Sequence, residues 1–123
     1  MADILVVDDD KNLRELYQQE LSDDGHAITL AADGPAALTC VRSCRPDLVI
    51  LDIAMPGMNG LEVLEKIMAL DKTIPVILNS AYSGYKDNFT TWTADAYVVK
   101  SGDLTELKAT IKKLLDAKVL CLR

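Results

Sequence analysis

The sequence predicts a doubly wound α/β sandwich, a parallel five-stranded sheet with helices on both faces. Two observations carry this. Residues 4 to 7 and 48 to 51 are unbroken apolar runs without alternation, as in central parallel strands covered on both sides. Around them, short apolar runs alternate with stretches whose apolar residues recur at helical spacing, and Gly, Pro and Asp mark the joints. At 123 residues the chain suits one domain with a substantial core, expected to span residues 1–123.

After the first strand, Leu13, Leu16, Tyr17 and Leu21 give helical spacing, opened by Asp10 as N-cap and closed near Asp24 and Gly25. Residues 26 to 31 form a shorter second strand. Asp33, Gly34 and Pro35 start a second helix through Ala37, Leu38 and Val41, and Pro46 follows its end. The third strand, residues 48 to 51, stops abruptly at Asp52, and Pro56, Gly57 and Gly60 mark a tight loop. Asn59 with Glu62 is a capping-box pattern for the third helix, with Leu61, Leu64, Ile67 and Met68 on its apolar face. Residues 75 to 79 read as the fourth strand. Residues 83 to 93 are the weakest helix, rich in Thr, Gly, Asn and aromatics. Residues 96 to 100 are the fifth strand, and Asp103 with Glu106 caps a last helix faced by Leu104, Leu107, Ile111, Leu114 and Leu115.

Half the residues are apolar and 26% charged, the balance of a soluble globular protein. No apolar run approaches a membrane span and the first acidic residue is Asp3, so neither export nor membrane insertion is expected. A net charge of −6 argues against direct nucleic-acid binding. Cys40, Cys44 and Cys121 are an odd, unpaired set and His26 is the only histidine, which suggests neither a disulfide framework nor a zinc site. Free thiols in a reducing cytoplasm are expected.

The chemistry concentrates at strand ends. In an open parallel sheet ligands bind at the carboxyl edge, where Asp52 falls. The first strand also ends in acid, at Asp8, Asp9 and Asp10. If the two strands are neighbours, their carboxylates crowd. Two unit like charges about 4 Å apart repel by roughly 4 kcal/mol at an effective dielectric of about 20, which a divalent oxygen-seeking cation such as Mg²⁺ would relieve. The fourth strand ends in Asn79, Ser80 and Ala81, offering a hydroxyl, and the fifth in Lys100, an ammonium. Acid pair, central Asp, hydroxyl and lysine suit a phosphoryl group with its metal.

Four motifs in order resemble the receiver domains of two-component response regulators over essentially the whole chain. They are Val-Val-Asp-Asp-Asp at 6 to 10, Pro-Asp-Leu-Val-Ile-Leu-Asp-Ile-Ala-Met-Pro-Gly-Met-Asn-Gly at 46 to 60, Ile-Leu-Asn-Ser-Ala at 77 to 81, and Ala-Asp-Ala-Tyr-Val-Val-Lys at 94 to 100. The resemblance implies a flavodoxin-like sheet of order 2-1-3-4-5. It implies that Asp52 takes phosphate from a histidine kinase or phosphotransfer protein. Asp8, Asp9, Asp52 and the backbone carbonyl of Ala54 would hold Mg²⁺. Ser80 would bond the phosphoryl oxygen, Lys100 would bridge carboxylate or phosphate, and Tyr97 would rotate as Ser80 shifts. The switched surface would be residues 83 to 93, the fifth strand and the last helix, read by an output domain or downstream partner. A phosphorylation-dependent homodimer is among the assemblies the resemblance admits. Such a chain catalyses only its own phosphorylation and dephosphorylation.

The sequence departs from the family where Ser101 replaces the usual Pro after the lysine and Thr93 a usual Gly. A cis peptide before a non-proline costs about 2.5–4 kcal/mol, so a trans bond or altered loop is expected at Lys100-Ser101. Two rival readings have less support. A pseudo-receiver that works by binding alone does not need the complete acidic set. An aspartyl phosphatase needs a second acid two residues after its nucleophile, where this chain has Ala54.

Overall fold

The structure, a computed structural model, describes residues 2–53, 60–80, 94–100 and 103–121, without the side chains of 118–121. Among the described residues there are five strands and four helices, in the order β1 (Asp3–Val7), α1 (Lys11–Asp23), β2 (Ala27–Ala31), α2 (Gly34–Cys44), β3 (Leu48–Leu51), α3 (Gly60–Leu70), β4 (Val76–Ser80), β5 (Ala96–Val99) and α4 (Thr105–Cys121). All neighbouring strands pair in parallel, in the order β2-β1-β3-β4-β5. The chain is therefore the flavodoxin-like doubly wound sheet expected. The expected helix over residues 83 to 93, the Asn59 cap and the Lys100-Ser101 bond lie outside the described residues.

Alternation along the strands divides the core in two. Leu5, Val7, Val49, Leu51, Val76 and Leu78 face Ala37, Leu38 and Val41 of α2 and Val63, Leu64 and Ile67 of α3. On the other side Ile4, Val6, Leu48, Ile50, Ile77 and Val98 face Tyr17 and Leu21 of α1 and Leu107 and Ile111 of α4. The crossover from β1 to β2 runs in one direction across the sheet, and those from β2 to β3 and β3 to β4 run in the other. Crossovers of one hand must then place α1 on one face and α2 and α3 on the opposite one, as observed.

Local chemistry sets the element ends. Asp10 accepts hydrogen bonds from the backbone of Asn12 and Leu13 at 2.9 and 3.3 Å, capping α1. Its exit turns at Gly25, whose φ of 95° only glycine adopts readily. Asp33 caps α2 through the Ala36 N–H at 2.8 Å, and Arg45 ends that helix in the left-handed region. Asp103 accepts from the N–H of Thr105 at 2.9 Å, with Glu106 in the first turn of α4. Five strand boundaries differ by one residue from expectation: β1 begins at Asp3, β2 begins at Ala27, β4 runs from Val76 to Ser80 and so shifts at both ends, and β5 stops at Val99. On α3 the most deeply buried face includes Val63, while Leu61 and Met68 pack at its margin.

Candidate functional site

Strand register assembles the acidic cluster. Val7 on β1 is paired with Leu51 on β3, so Asp8 and Asp52 leave the sheet side by side. The N–H of Asp52 donates to the Val7 carbonyl at 2.9 Å, and that of Asp8 to the Ala31 carbonyl at 3.1 Å. The main chain thus orients both residues. Between β1 and β3 the winding also reverses, which opens the crevice where such sheets bind ligands. Asp8 and Asp52 are only 2% and 4% exposed, whereas Asp9 is exposed. One carboxylate oxygen from each of Asp8, Asp9 and Asp52 lies within 4.8 Å of the others.

Lys100 closes the site from the far side of β4. Ser80 pairs with Val99, and the next N–H, that of Lys100, donates to the Ser80 carbonyl at 2.7 Å. From there Nζ reaches Asp8 Oδ2 at 2.8 Å and Asp52 Oδ2 at 3.3 Å. Burial alone would push the ammonium toward losing its proton. The hydrogen bond to Asp8 and the charges of Asp8 and Asp52 outweigh this and hold its pKa above the ordinary 10.5. Lys100 is therefore charged at neutral pH and pairs with two of the three carboxylates gathered there. The excess negative charge and the all-oxygen donor set fit a Mg²⁺ ion, which favours a few carboxylates together with water and phosphate oxygens. The expected fourth donor, the Ala54 carbonyl, lies outside the described residues.

Ser80 is the last residue of β4, 2% exposed, at the same carboxyl edge. Tyr97 sits on β5 opposite Leu78, half-buried against the core on the α2 and α3 side. His26, in contrast, stands at the amino end of β2, the opposite edge of the sheet, and its buried Nδ1 has no hydrogen-bond partner. Cys40 is half-buried and Cys44 exposed, both as free thiols.

Several contributors were not evident from residue spacing. Arg14 Nη1 donates to the Asp8 carbonyl at 2.7 Å, tying α1 to the end of β1. The Asp10 N–H donates to Asp8 Oδ1 at 2.9 Å, which turns that carboxylate. Gly60 abuts the backbone beneath Asp52: its N–H donates to Ile53 O at 2.7 Å, and a Cβ would overlap the Asp52 carbonyl oxygen. On the α1 and α4 face, Asn79 Nδ2 donates to the Tyr17 hydroxyl at 2.7 Å. One signal was available for that pair, because an asparagine inside an apolar central strand must find a partner.

A parallel sheet of this order, with three carboxylates and a lysine at its carboxyl edge, is the architecture of a phosphate-signalling receiver. The sequence matches the response regulator receiver domain family over residues 4–112, and the chain belongs to that family. It is similar to the probable transcriptional regulatory protein TcrX of Mycobacterium tuberculosis, 38% identical over 114 residues, which are 91% of this chain and 49% of that protein. The response regulator MprA of Mycolicibacterium vanbaalenii is also 38% identical, again across 91% of this chain and 49% of the relative. The chain thus spans about half the length of the curated relatives it matches.

Among solved structures, the response regulator TrrA of Thermotoga maritima in complex with Mg²⁺-BeF is 49% identical, with a TM-score of 0.89 over 93% of this chain and 99% of that one. TrrA in complex with the histidine kinase ThkA is 50% identical, with a TM-score of 0.88 over 94% and 99% of the two chains. A CheY-like receiver from Methanospirillum hungatei is 29% identical, with a TM-score of 0.91 over 96% of each chain. Among the described residues, no helix is long and apolar enough to cross a membrane.

Proposed function

We propose that this chain, as a single receiver domain over residues 1–123, accepts a phosphoryl group on Asp52 from a histidine kinase or phosphotransfer protein. The observation that carries this reading is Lys100, which spans Asp8 and Asp52 at 2.8 and 3.3 Å with Asp9 beside them. An Asp52 carboxylate oxygen attacks phosphorus as the phosphorus–nitrogen bond of a phosphohistidine breaks. The bonding pair leaves on that imidazole nitrogen, and because the other ring nitrogen carries a proton the histidine departs as neutral imidazole. Such a transfer requires in-line placement and neutralised oxygen charge more than covalent assistance.

Lys100 and Ser80 meet that requirement from the chain itself. The ammonium follows the charge from the Asp52 carboxylate to the new phosphate, and the Ser80 hydroxyl donates to a phosphoryl oxygen. When bound by Asp8, Asp9, Asp52 and the Ala54 carbonyl, Mg²⁺ would supply further positive charge against the phosphoryl oxygens. The added charge, roughly −1.5 to −2, favours whichever arrangement brings Ser80 and Lys100 inward, and Tyr97 shifts with Ser80. Residues 83 to 93, β5 and α4 then form the surface that a partner or output domain reads. The chain catalyses only its own modification and its loss, and a cytoplasmic location follows from this role. Support for the partners comes from TrrA, solved with its kinase, and from relatives about twice this chain's length.

The test is phosphorylation by acetyl phosphate in Mg²⁺. Wild type should incorporate phosphate and Asp52→Asn should not; equal incorporation by both would reject Asp52 as the acceptor.

A further inference from the structure

We propose that Tyr17 and Asn79 are positioning residues for phosphoryl transfer: their hydrogen bond anchors the end of β4, and with it Ser80 and Lys100, to α1. The inference rests on the phosphoacceptor reading above. Both side chains are 2% exposed, and Asn79 Nδ2 donates to the Tyr17 hydroxyl at 2.7 Å across the boundary between sheet and helix. Asn79 immediately precedes Ser80, whose carbonyl accepts the Lys100 N–H at 2.7 Å.

The contact completes a ring. Lys100 Nζ lies 2.8 Å from Asp8 Oδ2, and the Asp8 carbonyl accepts from Arg14 Nη1 at 2.7 Å. Arg14 and Tyr17 are three residues apart, hence on one face of α1. The path runs Asp8, Arg14, α1, Tyr17, Asn79, Ser80, Lys100 and back to Asp8. Breaking it at Tyr17 and Asn79 frees the end of β4 from α1 while the acidic cluster stays intact.

The bond lies inside the α1 and α4 side of the core, where Tyr17 packs with the buried cluster. Tyr17 and Asn79 also line a cavity of about 350 Å³ with Val98, Leu104 and Leu107. The Tyr17 hydroxyl also lies within the electrostatic reach of the site. Burial first, and then the Asp8 and Asp52 charges, push its pKa up against the opposing Asn79 bond and Lys100.

Tyr17→Phe, Asn79→Leu and the double variant separate positioning from ordinary stability. Each single change strands one buried polar group, whereas the double change removes both, so the double variant regains stability lost by the singles. Positioning predicts a different pattern for the maximal rate of phosphorylation by acetyl phosphate. All three variants fall by about fivefold to tenfold, and the double variant does not recover. The half-saturating Mg²⁺ concentration stays at the wild-type value, because Asp8, Asp9 and Asp52 are untouched.

Tyr17→Phe loses a single hydroxyl and serves alone should the leucine variants fold poorly. A rate unchanged in Tyr17→Phe overturns the proposal, as does a double variant that recovers rate along with stability. Failure of wild type to be phosphorylated would instead reject the phosphoacceptor reading, and this inference with it.

Discussion

Lys100 holds two carboxylates that are almost wholly buried, and its own nitrogen is shielded by them. Removing one partner of a buried ion pair leaves an uncompensated charge, which typically costs about 3–5 kcal/mol. Lys100→Met should therefore lower the unfolding free energy measured in urea by an amount of that order and slow phosphorylation, and saturating Mg²⁺ should restore part of the stability. The pH dependence has a definite sign. The folded-state pKa values of Lys100 and Tyr17 lie above their ordinary 10.5 and 10.0, so the folded protein holds protons that the unfolded chain releases. Their contribution is complete at neutral pH and fades as pH rises beyond about 10 through the folded values. Thermal melts between pH 8 and 11 should show falling stability, which Lys100→Met attenuates. Asp8, Asp9, Asp52 and Lys100 were legible in the sequence because each ends an apolar run, and strand ends share one edge. Arg14 and the pair of Tyr17 and Asn79 were not, because their partners are far away along the chain.

At the level of elements, caps and close approaches decide which substitutions matter. Asp10→Ala removes two hydrogen bonds from the first turn of α1 and should cost about 1 kcal/mol of unfolding free energy in urea. Gly60→Ala is more disruptive, since its Cβ would overlap the Asp52 carbonyl oxygen. Overpacking of that kind costs about 1–3 kcal/mol. Because the displaced backbone carries Asp52, the phosphorylation rate should fall as well, and a Gly60→Ala chain with wild-type rate and stability would show that α3 yields freely. Helix starts at Asp10 and Asp33 were readable from their capping chemistry. The end of β4 was not, because the apolar run passes into polar residues while the backbone ladder continues to Ser80. Val63 was missed on α3 because that helix is apolar over much of its circumference, so spacing alone does not select the deepest stripe.

For the molecule as a whole, the winding brings the ends of β1 and β3 together and closes the site with β5, reached across β4. Sheet order, and not any local motif, makes three separated acids neighbours. Right-handed crossovers gave the doubly wound class, and the order was accessible only through the resemblance that the four motifs carry; the reach of Lys100 across β4 depends on pairing that no local motif states. A ligand held only by the folded state stabilises it by about 2.7 kcal/mol at a hundred times its Kd. Mg²⁺ titration should accordingly raise the melting temperature of wild type, and Asp8→Asn or Asp9→Asn should weaken that response.

Trapping the acyl phosphate with borohydride and mapping the reduced residue by peptide mass tests the phosphoacceptor most directly. After incubation with acetyl phosphate and Mg²⁺, reduction is expected at Asp52 and at no other carboxylate. A mark on Asp8 or Asp9, or none at all while phosphate is incorporated, would contradict a transfer site built on Asp52.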